Sequence, residues 1–107
     1  AREVLGLATE GGARILGYEE AGRLEEGALA DLALFDVMKL EYAGALSDPA
    51  AALLFSGYNH GVDHLVVDGR FVVRGGKLVG ADEERIRDEA NRCARRLLTK
   101  AGIEAAW

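Results

Sequence analysis

The stretch GVDHLVVDGRFVVRGGKLVGAD, residues 61–82, decides how the chain is read. It holds three short apolar runs, split by Asp68-Gly69 and by Gly75-Gly76. Val62, His64 and Val66 alternate with Asp63, Leu65 and Val67, which is the period of a strand with two distinct faces. Asp-Gly tolerates positive φ at two successive positions, so it predicts a two-residue hairpin loop joining Val67 to Arg70. Phe71 to Arg74 returns along the first run, and Gly75-Gly76 turns the chain again into Lys77 to Val79. Three antiparallel strands in sequence form a small sheet, and a sheet of that size needs a covering partner.

On the C-terminal side of the meander, Asp82, Glu83 and Glu84 open a helix that Arg92, Arg95, Arg96 and Lys100 close. That order of charge complements the helix dipole at both ends. Ile86, Ala90, Cys93 and Leu97 recur at helical spacing and predict a packed apolar face, with the charges on a solvated one. Gly102 marks the end, leaving Trp107 on a short tail.

On the other side, Asp48-Pro49 is a start signal. Proline lacks the N–H that would go unpaired at the first helical position, and the aspartate before it accepts the next ones. A helix is predicted from Pro49 to Phe55, stopping near Gly57, with Tyr42 to Ser47 as a surface loop anchored by Tyr42. The nearly unbroken apolar run from Leu32 to Val37 suits a strand buried on both faces. Its flanking Asp31 and Asp36 would cap turns. Further upstream, Val4, Leu5, Leu7, Ala8, Ile15 and Leu16 lie at helical intervals, and Gly11-Gly12 interrupts them. The pattern predicts a helix, a break near Thr9 whose hydroxyl would accept a backbone N–H, and a second short helix stopped by Gly17.

Composition sets limits on function. The 107 residues are half hydrophobic, enough for one domain with a core. Eighteen acidic against 13 basic side chains give a formal charge of -5, which argues against nucleic acid and anionic membranes as partners. The single cysteine, Cys93, has no internal disulfide partner, and neither end carries a leader-like or 18-residue apolar run. A cytoplasmic soluble protein is the expectation.

Candidate chemistry is sparse. His60 and His64 are four apart, a metal-binding spacing on a helix, but on the predicted strand they stand roughly 13 Å apart. Asp31 and Asp36, five apart along a strand, point to opposite faces on the order of 17 Å from each other, too far to act on one bond. Cys93 has neighbouring arginines that would favour a thiolate, yet it falls on the face predicted to be buried. Ser47 and Ser56 lack a nucleophile-elbow setting and an evident base. Gly11-Gly12 has neither the preceding strand nor the lysine spacing of a phosphate cradle.

LATEGGARILG, then GRLEEGALADLALFDV, then VDHLVVDGRFVVRGGKLV resemble, in order, the closing region of the amidohydrolase superfamily. The middle piece, LEYAGALSDPAAALLFSG, is similar to members of the cytosine deaminase and chlorohydrolase-like branch, including 8-oxoguanine deaminase and hydroxytriazine hydrolases. The resemblance implies an α+β chain: the closing helix of a (β/α)8 barrel (1–17), the C-terminal portion of an accessory β-sandwich with an inserted short helix (18–80), and a terminal amphipathic helix with its tail (81–107). It also implies a parent hydrolase in which water on a divalent ion, zinc or iron, attacks an electron-poor ring carbon and expels ammonia, an amine or chloride. The ligand motif of the family, His-x-His, is absent from this sequence. No catalytic, cofactor-binding or metal-ligating residue therefore carries over, and the isolated chain is expected to be inactive. Its expected partner is the remainder of the enzyme or another copy of the chain, as a homo-oligomer. The alternative is an independent non-catalytic module for self-association or protein binding, and a third reading is a small complete enzyme built on His60, His64 and a carboxylate.

Overall fold

The Asp68-Gly69 turn organises the sheet. Asp68 has φ 50° and Gly69 φ 73°, the double positive φ of the hairpin loop that the sequence predicts, and Gly69 supplies the second without a side-chain penalty. In the computed structural model, which describes residues 1–57 and 61–104, four antiparallel strands run in the order β1 (Leu32–Leu34), β2 (His64–Val67), β3 (Arg70–Arg74), β4 (Lys77–Leu78). Leu32 pairs with Val66 and Leu34 with His64. Across the hairpin Val67 pairs with Arg70, and at the far end Arg74 pairs with Lys77. The β2–β3 register slips between Leu65 and Val66, because Leu65 pairs with Val73 while Val66 pairs with Phe71. Val72 is the extra residue of a β-bulge. The expected uninterrupted alternation from Val62 to Val67 thus holds only in part, since the strand begins at His64 and its partner strand is bulged.

The Leu32–Val37 strand is shorter than expected and is not buried on both faces. Only Leu32–Leu34 pairs, and Leu34 is 47% exposed. β1 is an edge: among the described residues β2 is its only neighbour, so nothing covers its other side.

The N-terminal segment does not break at Thr9. Helix α1 (Arg2–Gly6) runs into a π-helical segment (Leu7–Gly11) and on into α2 (Gly12–Ile15). Gly6, Gly11 and Gly12 all keep right-handed helical dihedrals. Thr9 Oγ1 is not a cap acceptor but donates to the Leu5 carbonyl at 2.8 Å. The glycines that signal a break are absorbed by one widened turn, which keeps the backbone bonded throughout. Gly17, at φ 79°, then stops the helix as expected.

Helix α3 (Pro49–Phe55) matches its signal. Asp48 Oδ1 accepts from the N–H groups of Ala50 and Ala51, both at 3.1 Å, and proline occupies the first turn. A short 3-10 turn (Leu40–Tyr42) precedes it. Tyr42 and Ala52 form the buried core, each 1% exposed. Gly57 closes this core from the other side. A Cβ built there would lie 2.7 Å from Tyr42 Cε1, and its φ is 75°. The loop anchor expected at Tyr42 is therefore present and rests on a glycine.

Helix α4 (Glu83–Lys100) is capped by Asp82, whose carboxylate accepts the Arg85 N–H at 3.0 Å, and ends before Gly102 at φ 70°. Its expected packing is not observed. No side chain of α4 is buried, Ile86 is 53% and Leu97 68% exposed, and Cys93 is exposed rather than on a buried face. The amphipathic face exists, but no element of the described chain lies against it. Trp107 falls outside the described residues.

The chain is correspondingly open. Its radius of gyration is 18.6 Å and its accessible surface 8652 Å². A compact domain of this size would have about 13 Å and about 5,800 Å².

Candidate functional site

The polar side chains with most interactions surround the strand ends, and they bond chiefly to backbone. Asp31 Oδ1 accepts the Asp68 N–H at 2.8 Å, tying the start of β1 to the hairpin. Asp36 Oδ1 accepts the Met38 N–H at 2.9 Å, closing a turn onto itself. Asp36 thus caps a turn as expected, whereas Asp31 bridges to a residue 37 positions away.

Asp63 joins two separated segments. Its carboxylate accepts the Asp36 N–H at 2.7 Å and the Lys39 ammonium at 2.9 and 3.1 Å. The backbone bond first, and Lys39 second, hold Asp63 below the ordinary aspartate range; reciprocally, the hydrogen bond to Asp63 raises Lys39. The pair is partly open to solvent, so its attraction is screened. Sequence reasoning missed this network. A lysine and an aspartate 24 positions apart carry no local signal of meeting.

His64 lies on β2 with Nδ1 accepting the Gly75 N–H at 3.2 Å. Its ring stands edge-on to Phe71 with centroids 5.9 Å apart, and the Arg74 guanidinium sits 4.4 Å above the Phe71 ring. His64 therefore pins the β3–β4 turn. His60 lies outside the described residues. Among the described residues, no three His, Cys, Asp or Glu side chains converge to hold a metal ion, and the donor set does not fit one.

Ser56 is the extended C-cap of α3. Gly11 and Gly12 lie within continuous helix, where their amides do not form an open cradle. Cys93 Sγ accepts from Arg96 Nη2 at 3.3 Å on the exposed side of α4. A cleft of about 570 Å³ opens between Ala8, Ala13 and Leu16 on the helical side and Leu29 and Val67 on the sheet side. Its lining is mostly apolar; of its two carboxylates, Asp31 already serves the hairpin, and Asp68 belongs to the hairpin turn itself. The arrangement can position backbone and receive an apolar surface.

The profile of the Amidohydrolase family matches residues 1–72. The chain belongs to the amidohydrolase family. Among its amidohydrolase relatives is the 5-methylthioadenosine/S-adenosylhomocysteine deaminase of Desulforudis audaxviator, 42% identical over 96 residues, which cover 89% of this chain and 22% of that protein. The hydroxydechloroatrazine ethylaminohydrolase of Pseudomonas sp. is 34% identical over 104 residues, covering 97% of this chain and 22% of the relative. In structure, the chain is similar to atrazine chlorohydrolase from Arthrobacter aurescens TC1 complexed with zinc, with a TM-score of 0.78 and 36% identity over 85% of this chain and 20% of the other. The chain thus spans about a fifth of the length of the amidohydrolases it matches, and these are deaminases and hydrolases by name. No helix among the described residues is long and apolar enough to cross a membrane.

Proposed function

We propose that this chain is the C-terminal portion of a metal-dependent amidohydrolase that breaks a C–N or C–Cl bond on a heterocyclic ring, and that it is inactive as an isolated polypeptide. The observation that carries the reading is the 42% identity to a deaminase across nearly the whole chain but only 22% of that relative. The other relatives remove ethylamine or chloride from triazines by name, and one of them binds zinc, which supports the bond class and a divalent ion for the complete enzyme. The described residues do not fit such an ion. Their contribution is structural: a short helical segment, a four-stranded meander and a terminal helix that match the relatives' fold.

In this reading the helix at residues 2–15 closes a (β/α)8 barrel, and β1 to β4 complete a β-sandwich with strands from elsewhere in the enzyme. The excess accessible surface and the open edge of β1 support a portion over a self-contained module, because a self-contained module would cover its own apolar faces.

The test is an assay of the purified 107-residue chain, with zinc added, for ammonia release from 5-methylthioadenosine and chloride release from atrazine. No turnover above the zinc-only control is expected. Turnover together with tight, stoichiometric zinc would overturn the reading and return attention to His60 and His64.

A further inference from the structure

We propose that Asp68 is a modification site: its side chain cyclises onto the Gly69 nitrogen and rearranges to isoaspartate, and residues 30 and 31 hold that reaction latent by bonding the two hairpin amides. This goes beyond the catalytic reading and does not depend on it. The donors and acceptors of this lock all belong to one chain, so it stands whatever packs against the faces of the sheet.

The sequence supplies the reactants. Among the aspartates only Asp68 precedes a glycine, and no asparagine does. Glycine has no Cβ to crowd a ring closing on its nitrogen. The Gly69 nitrogen bonds Asp68 Cγ, the Cγ–OH bond of the protonated carboxyl breaks, and the amide proton leaves with that hydroxyl as water. Solvent water then opens the five-membered imide. Attack at Cγ restores aspartate. Attack at the former backbone carbonyl leaves the main chain running through Cβ and Cγ, one methylene longer and unchanged in mass.

Geometry opposes the first step. The Gly69 N–H donates to the Ala30 carbonyl at 3.1 Å, and the Asp68 N–H donates to Asp31 Oδ1 at 2.8 Å. An attacking nitrogen must lose its proton and turn towards Cγ, and the first bond holds that proton and fixes where it points. The second bond, to a carboxylate, is the stronger kind and pins the amide on the other side of Asp68. With both flanking amides held, Asp68 stays at φ 50° and Gly69 at φ 73°. The Gly75-Gly76 loop makes its turn with no carboxyl to cyclise, so the reaction belongs to one hairpin loop alone.

Rearrangement is irreversible for the fold. A two-residue loop has no room for an extra methylene, so isoaspartate at position 68 breaks the Val67–Arg70 register. Release of residues 30 and 31 thus turns a reversible local opening into covalent damage.

Isoaspartate formation in the purified chain, followed near neutral pH, tests the proposal. Methyl transfer from S-adenosylmethionine by an isoaspartyl methyltransferase counts it, and electron-transfer fragmentation places it. Residue 68 is expected to rearrange at least about tenfold more slowly in the folded chain than in the same chain unfolded in urea. Asp31→Ala is expected to speed it about tenfold, the factor carried by one hydrogen bond to a charged group. Asp31→Asn, whose amide oxygen still accepts, is expected to stay close to the parent. Asp63, followed by a histidine, reports unfolding of the whole chain, and its rate is expected not to change. A folded parent as fast as the unfolded chain, Asp31→Ala no faster than the parent, Asp31→Asn as fast as Asp31→Ala, or an equal rise at Asp63 would each overturn the proposal.

Discussion

Helices α3 and α4 begin alike and end in opposite circumstances. Each starts behind an aspartate whose carboxylate accepts backbone N–H groups of the first turn, and each stops just before a glycine with positive φ. Yet the seven residues of α3 include a buried side chain, Ala52, and α3 lies against α1, while the eighteen residues of α4 include none. Helix ends are written in adjacent residues; burial is written in residues that arrive from elsewhere. A helix can therefore be fully specified in extent and still lack the partner its pattern anticipates.

The largest expected effect breaks that comparison open at the core. Tyr42→Ala removes the one large, fully buried side chain among the described residues and should cost about 3 kcal/mol in urea unfolding. Ile86→Ala on α4, measured where the chain is monomeric, should stay within about 0.5 kcal/mol. Equal losses would mean that α4 is packed in solution after all.

A smaller effect sharpens the other half of the comparison. Asp48→Ala and Asp82→Ala each remove a cap, and each should cost about 1 kcal/mol by the same measurement. Because capping is local, the two losses should be alike despite the difference in burial. A cap that matters at α3 and not at α4 would show that burial amplifies it.

The smallest effect depends on pH. Asp63 is held below its ordinary value in the folded chain, so its contribution is complete above that value and declines as pH falls through it towards the lowered native one. Lys39 is raised, so its contribution is complete below the ordinary lysine value and is lost as pH rises through the native one. Unfolding of Asp63→Asn should therefore be shallower in its acid dependence between about pH 5 and pH 2 than that of the parent. Glu89→Gln, which removes only an exposed pair within α4, should change urea stability by no more than about 0.5 kcal/mol. This contrast separates a bond between segments 24 residues apart from one between neighbours on a helix.

What was legible in the sequence follows the same division. Asp68-Gly69, Asp48-Pro49, Gly17 and Gly102 carry their conformations in their own covalent structure, and each stands where its type predicts. Asp36 reads correctly as a turn cap for the same reason, whereas Asp31 reaches a backbone N–H 37 positions away. The bulge at Val72, the Lys39–Asp63 bridge and the exposure of Cys93 depend on which distant segments meet, and no short window contains that information. The family was legible because glycines and aspartates at turns keep their order along the chain.

The widened turn at Leu7–Gly11 also acts as a phase shifter. An α-helix advances about 100° per residue, and one extra residue housed in a single turn rotates everything after it by about that angle relative to everything before. Val4 and Leu16 cannot be assigned to a common stripe by counting positions between them, so their periodicity looks broken in a backbone that is continuous. Counted straight through, Val4 and Leu16 would stand about 120° apart, but with the extra residue absorbed the difference falls to about 20°. The shift thus turns the two ends of the helix towards one side, where Ala8, Ala13 and Leu16 line the same cleft.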